Sequence, residues 1–338
     1  MNYKQLKSLL ADPRKIVITT HTHPDGDAMG SSLALALYLQ KKGHRVQVIT
    51  PTGYPDFLHW LPGNNEVLIY NMNDGTKRKG ERMVGQADIV FALDYNDPKR
   101  IDDLGKFMQD SKATKVLVDH HPDPVNFAEL ALSDTRASST CELIHRLITS
   151  LGDKALVNQD IASCLYTGIM TDTGSFRFAS TSPETHRVVA SLIETGMQHT
   201  LIHERIFDSY SESRARLLGY SLKDKLVVFP EFHAAYISLS KAELDQFGYQ
   251  NGDTEGLVNY AYAISGIRLG ALFMEKGDLV KISFRSKGSF DVNELAREHF
   301  SGGGHKNAAG GSSTLTLQET VKKFEALLPS YAEGLKAF

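Results

Sequence analysis

Apolar residues recur along the first half of the chain as short runs separated by stretches of helical periodicity. Residues 16–19 form a β-branched run, Ile-Val-Ile-Thr, that leads into a loop containing Pro, Gly and Asp. Residues 31–39 then read as a helix with a broad apolar surface at Ala34, Leu35, Leu37, Tyr38 and Leu39; Gly43 closes it and a strand resumes at 46–49. A strand–helix–strand unit of this kind predicts a parallel sheet with right-handed crossovers. Two further runs, 89–93 and 116–118, are continuously apolar, as central strands covered on both faces require.

The second half has a different texture. A polar helical stretch at about 186–220 interleaves Arg and Glu with Leu and Ile. Hairpin-like runs follow at 225–229 and 234–239, then strands at 267–274 and 279–284. Asp291 with Glu294 forms a capping-box-like start for a helix at 292–299, and an amphipathic helix is predicted at about 318–328. The expectation is an α/β protein: an N-terminal parallel-sheet domain with helices on both faces at 1–190, a helical connector at 191–224, and a smaller C-terminal α+β domain at 225–338. The 338 residues exceed what one hydrophobic core usually organises, which agrees with two domains.

Composition narrows the classes. Met1 to Lys15 lacks the basic start and apolar core of a signal peptide, and no run is long enough to span a bilayer. The two cysteines, Cys141 and Cys164, sit in apolar helical patterns and read as buried core residues, which fits a reducing cytoplasm. A formal charge of −3 argues against coating of long nucleic acid through a basic face, but not against a short nucleotide that needs a few local cations.

The chemistry lies where the predicted strands end. His21, Asp25 and Asp27 fall in what reads as one loop after the first strand; Asp94 ends the run at 89–93, and Asp119-His120-His121 ends the run at 116–118. Ligands in open α/β sheets bind beyond the carboxyl ends of the strands. With Asp172 added, four aspartates and two histidines (His21, Asp25, Asp27, Asp94, His120 and Asp172) become candidate metal ligands. Four crowded carboxylates would repel and take up protons. These motifs contain no Arg or Lys to compensate, whereas two divalent cations would. Oxygen-rich donors with some imidazole and no thiolate suit Mn²⁺ or Mg²⁺, with Co²⁺, Fe²⁺ or Zn²⁺ as further options. Taken singly, an Asp after a strand is as readily a turn residue or a helix cap.

These motifs resemble a known family. The segment His21-Thr22-His23-Pro24-Asp25-Gly26-Asp27-Ala28-Met29-Gly30-Ser31 is similar to the first motif of the DHH phosphoesterase superfamily, and Asp94 stands where its second motif places a bridging aspartate. Asp119-His120-His121 is the tripeptide that names the superfamily, and residues 168–174 look like its fourth motif. Gly302-Gly303-Gly304-His305, followed by Asn307-Ala308-Ala309-Gly310-Gly311, resembles the signature of the DHH-associated substrate-binding domain. The length and layout look like the bacterial nanoRNase and pAp-phosphatase group, whose members cleave dinucleotide-sized RNA and remove the 3′-phosphate of 3′-phosphoadenosine 5′-phosphate. The resemblance implies that Asp94 is shared by both ions. His21 and Asp25 would complete one shell, and Asp27, His120 and Asp172 the other. His121 would lie just outside, against the scissile phosphate or as a proton donor.

Candidate substrate residues are less distinctive. Gly303 and Gly304 would let backbone N–H groups approach an anion, beside His305 as a donor; a flexible loop after a helix has the same composition. Arg285 is a candidate phosphate fork or an edge-strand charge. Arg136, with Ser138, Ser139 and Thr140, precedes a helix whose N-terminus would suit a phosphate, although the hydroxyls also suit capping. The expected partner is a short RNA or a mononucleotide bisphosphate, bound in a cleft between the domains. Long duplex nucleic acid and membranes are not expected partners, and the sequence is compatible with a homodimer. Phosphoadenylyl-adenosine from cyclic-di-AMP turnover is an alternative substrate, and a nucleotide-binding regulator with a structural metal site is an alternative class.

Overall fold

The computed structural model describes residues 1–336. The chain divides into two compact units, 1–209 and 210–338. The first unit runs α1 (Tyr3–Leu9), β1 (Lys15–Thr19), α2 (Gly26–Lys41), β2 (Arg45–Thr50), β3 (Leu68–Ile69), α3 (Asp74–Gly85), β4 (Ile89–Leu93), α4 (Asp103–Asp110), β5 (Thr114–Asp119) and β6 (Leu130–Ser133). Four helices complete it: α5 (Thr140–Ser150), α6 (Gln159–Asp172), α7 (Pro183–Ile193) and α8 (His199–Phe207).

The six strands are all parallel, in the order β3-β2-β1-β4-β5-β6. Alternate residues of the central strands feed two separate cores. Ile16, Ile18, Ile89, Phe91, Val116 and Val118 face α2, α5 and α6, whereas Val17, Val90, Ala92 and Leu117 face α3 and α4. This two-sided burial explains the absence of polar alternation in these strands. Strand order reverses between β1 and β4, so the connections leaving these two neighbours diverge and open a crevice at their carboxyl ends.

The second unit comprises α9 (Glu212–Asp224), β7 (Leu226–Phe229), β8 (Ala234–Leu239), α10 (Lys241–Gln246), α11 (Leu257–Ala263), β9 (Leu269–Lys276), β10 (Leu279–Ser286), α12 (Val292–His299), β11 (Gly303–His305), β12 (Ala308–Ser313) and α13 (Leu317–Lys336). Its sheet, ordered β11-β12-β10-β9-β8-β7, is mixed: β8 and β9 are parallel and the other pairs antiparallel. One face packs on α12 and α13 through Phe273, Phe284, Phe300 and Phe324. The other packs on α9, α10 and α11 through Leu217, Leu244 and Val258.

The expected fold class holds, and several local expectations change. The helix expected at 31–39 begins at Gly26, so Asp27 stands in its first turn and not in a loop. The polar helical stretch expected at about 186–220 consists of three helices, α7 to α9. Edge strands β3 and β6 have only two and four residues, too few to print a clear period. No helix among the described residues is long and apolar enough to cross a membrane. Cys141 and Cys164 are buried and form no disulfide.

Candidate metal centre

The loop after β1 carries His21 to the sheet edge, and Asp25 then caps α2. Its Oδ1 accepts from the backbone N–H groups of Asp27 (3.0 Å) and Ala28 (3.1 Å), satisfying two donors the helix start would otherwise leave free. Asp27 is therefore held on a helix whose axis is fixed by close packing on α6. A Cβ on Gly26 would lie 2.3 Å from Thr171 Oγ1, and one on Gly168 would lie 2.3 Å from Cys141 Sγ and 2.7 Å from Asp27 Oδ1. Glycine at these two positions lets α2 and α6 approach closely, which brings Asp172, the last residue of α6, toward Asp27.

Asp94 follows β4 with φ at +64°, a left-handed conformation that Asp tolerates better than most residues. Its two carboxylate oxygens face different partners. Oδ2 lies 3.5 Å from His21 Nε2, and Oδ1 lies 3.6 Å from His120 Nε2. His120 Nε2 is also 3.4 Å from Asp172 Oδ2 and 3.8 Å from Asp27 Oδ2, while His21 Nε2 is 4.0 Å from Asp25 Oδ1. Two groups result, His21/Asp25/Asp94 and Asp27/His120/Asp172, and in each the potential ligand atoms lie within 4.8 Å of one another. Donors about 2.1 Å from a shared divalent ion sit roughly 3–4 Å apart, so both groups have the spacing of a coordination shell.

The electrostatics of the same atoms agree with a cation site. Burial, then the charges of Asp94, Asp172 and Asp25, push the Asp27 carboxyl well above the usual carboxylate range. Burial opposes ionisation of Asp94 too, but the His21 hydrogen bond and the charges of His121, His21 and His120 hold it well below that range. The protein's own side chains thus stabilise one buried carboxylate at the expense of its neighbour. Among the described residues, the ion-pair partners of Asp25 and Asp94 are histidines and never Lys or Arg. The donor set, mostly carboxylate oxygen with two imidazoles, fits two divalent cations.

Three residues matter here whose roles the linear sequence does not display. Asp119 is fully buried, with Oδ1 2.7 Å from His121 Nδ1 and no hydrogen-bond partner on Oδ2. Burial and the charge of Asp94 push its carboxyl up to about 7, and burial pushes the His121 imidazole down to about 3. Thr140, whose hydroxyl suits either a phosphate or a helix cap by sequence, donates to Asp94 Oδ1 at 2.8 Å. Arg100, beyond the end of β4, accepts at its carbonyl from Thr22 N–H (2.9 Å), and its positive charge acts on His21, Asp119 and His121. The local signals, a Ser-Ser-Thr cap and an Arg after a strand, are too common to single these residues out.

The candidate substrate residues fare unevenly. Ser139 is fully buried and caps α5 by accepting from Glu142 N–H at 3.1 Å, so of its two proposed roles the structure displays capping. Arg136 is exposed and binds both oxygens of Asp134, at 2.9 and 3.0 Å. Gly303 and Gly304 form strand β11 and not a flexible loop. Two N–H groups of this segment are used within the chain: Gly302 N–H donates to Ala296 O (3.1 Å) and Gly304 N–H to Asn293 Oδ1 (2.9 Å). Arg285 is half-buried and its Nη1 donates to Phe284 O at 2.9 Å. Arg285 and His305 both stand opposite Ala308, so the three form a row across β10, β12 and β11 on the sheet face turned away from α12 and α13.

Catalytic-type residues gathered at a topological switch point, on a parallel sheet followed by a mixed one, define a recognisable class. The family model of the DHH family, N-terminal domain, matches residues 15–169, and that of the DHHA1 domain matches residues 231–333. The chain belongs to the DHH family of phosphoesterases and carries a DHHA1 domain. It is 31% identical over 320 residues to the bifunctional oligoribonuclease and PAP phosphatase NrnA of Thermus thermophilus, a match spanning 95% of this chain and 90% of the relative. It is 30% identical over 304 residues to the NrnA of Bacillus subtilis, spanning 88% of each. An exopolyphosphatase-related protein from Bacteroides fragilis shares the fold with a TM-score of 0.93 at 38% identity, over 99% of this chain and 97% of that one.

Proposed function

We propose that this DHH phosphoesterase hydrolyses short nucleotides, namely dinucleotide-sized oligoribonucleotides and the 3′-phosphate of 3′-phosphoadenosine 5′-phosphate. The observation that carries this reading is Asp94 turning one oxygen toward each of two ligand groups. Similarity to the NrnA proteins, each named a bifunctional oligoribonuclease and PAP phosphatase, supports the choice of substrates.

In this reading His21, Asp25 and Asp94 would hold one divalent cation, and Asp27, His120 and Asp172, with Asp94, would hold the other, with Mn²⁺ the preferred ion. When bound, the two cations supply Lewis-acid charge to the phosphoryl oxygens and lower the pKa of a water for attack. Asp119 fixes the His121 ring through Nδ1 and leaves Nε2 as the atom for the leaving oxygen. Burial keeps that imidazole neutral in isolation, and an adjacent phosphate anion would favour the protonated form needed for proton donation. Arg100 adds positive charge beside the same histidines. In the second unit, Arg285 and His305 are assigned to an anionic group of the substrate, and exposed Arg136 is a further candidate.

The test is Mn²⁺-dependent turnover on a matched panel: a dinucleotide, 3′-phosphoadenosine 5′-phosphate, phosphoadenylyl-adenosine, a long oligomer and pyrophosphate. Preference for the dinucleotide and 3′-phosphoadenosine 5′-phosphate is expected. Activity confined to pyrophosphate or to long strands would overturn the substrate assignment.

A further inference from the structure

Thr140, the first residue of α5, is fully buried and therefore closed to substrate. It nevertheless touches two of the carboxylates assigned to the cations. Its backbone N–H donates to Asp27 Oδ2 at 2.6 Å, and the next N–H, from Cys141, donates to Asp27 Oδ1 at 2.8 Å. Its hydroxyl donates to Asp94 Oδ1 at 2.8 Å. Asp27 arrives from α2 and Asp94 from the end of β4, so Thr140 ties together carboxylates from separate strand–helix connections. A helix start is well suited to this task, since its free N–H groups and dipole favour carboxylate.

The start of α5 is itself anchored. Ser139 accepts from Glu142 N–H, and Glu142 Oε2 accepts from Ser138 N–H (3.2 Å), Ser138 Oγ (2.7 Å) and Thr185 Oγ1 on α7 (2.9 Å). The donors that reach Asp27 and Asp94 are therefore held by a buried network and not by solvent-exposed side chains. Hydrogen bonds to ligating carboxylates fix which lone pairs remain for an ion and oppose rotation of the carboxylate.

We propose that Thr140 is a positioning residue that fixes Asp94 through its hydroxyl and Asp27 through its backbone, so that both cation positions are formed before an ion arrives. This inference rests on the metal-centre reading above, so the experiment measures binding of Mn²⁺ alone, by titration calorimetry, alongside circular-dichroism melts. Thr140→Val keeps the shape and removes the hydroxyl; affinity is expected to fall about 10–100-fold. Thr140→Ser restores the donor and is expected to recover most of the affinity. Thr140→Ala replaces the valine variant if the latter does not fold. Native affinity without the hydroxyl, or an equal loss in the serine variant, would overturn the positioning role while leaving the metal centre intact. A wild-type protein that binds no Mn²⁺ would overturn the metal centre itself, and the role of Thr140 with it.

Discussion

The carboxyl edge of the first sheet and the glycine-rich hairpin of the second sheet are both dense in functional-looking residues, yet they are physically opposite. At the first, burial raises Asp27 while Asp94 is held low, and one oxygen of buried Asp119 has no hydrogen-bond partner. Buried groups left in this condition cost free energy unless something outside the chain completes them. The hairpin is largely complete within the chain. Gly302 and Gly304 already spend their N–H groups, and a Cβ on either would collide with backbone, at 2.0 Å from Gly310 O and 2.6 Å from Ala308 O. The difference teaches that a motif can be rich in one residue type because a ligand needs it or because the backbone does. Only the state of satisfaction of its polar groups separates the two.

The sharpest way to break this comparison is Asp94→Asn. If the sheet edge is completed by cations shared through Asp94, turnover of the nucleotide panel should be abolished while circular dichroism and the melting temperature stay near those of the native chain. Normal activity in that variant would sink the two-cation centre. Next in size come the glycines. Gly302→Ala and Gly304→Ala should each destabilise the second unit by about 1–3 kcal/mol in denaturant melts, because backbone has to move. Gly303→Ala should stay within about 0.5 kcal/mol, since its Cβ would meet nothing closer than 3.5 Å. Equal tolerance at all three positions would remove the steric explanation.

His305→Ala should raise the KM for dinucleotides roughly tenfold, the worth of one charge-assisted hydrogen bond, and leave Mn²⁺ affinity unchanged. Unaltered kinetics would detach His305 and its row from substrate binding. The last effect concerns stability in the second unit. Burial opposes ionisation of Glu243, but donors at Lys225, Tyr220 and Ser240 hold its carboxyl down at about 2, against an ordinary 4.5. A group with a depressed folded pKa contributes stability above its unfolded value and loses it as pH falls through the folded one. Glu243→Gln should therefore be less stable than the native chain at neutral pH, with the gap closing between pH 4.5 and about 2. A gap that stayed constant with pH would show that the ionised carboxylate is not what these donors stabilise.

Much of this architecture can be read along the chain. The runs containing Ile16–Ile18, Ile89–Leu93 and Val116–Val118 are strands because β-branched and apolar residues buried on both faces leave a continuous local signal. The cap at Asp291 was readable for the same reason, since its hydrogen bonds reach only two and three residues along, at 2.8 and 3.2 Å. Strands β3 and β6 leave no such signal because they lie at the sheet edges and are too short to establish a period. The sequence does not display that Asp27 lies in a helix, because the Asp-Gly step that starts α2 reads equally well as a turn.

The candidate site divides along the same line. Residue types and their positions after strands are enough to nominate His21, Asp25, Asp27, Asp94 and His120, since ligands of open α/β sheets gather at the carboxyl ends of the strands, whereas Asp172 ends helix α6 and reaches them only through the packing of α6 on α2. How the oxygens of Asp94 are shared, how Asp119 holds His121, and how Thr140 reaches two carboxylates at once are decided by tertiary packing. Such contacts join residues up to 113 positions apart. Periodicity and capping act over a few neighbouring residues, whereas hydrogen-bond geometry at tenths of an ångström depends on how β1 meets β4 and how α2 closes on α6.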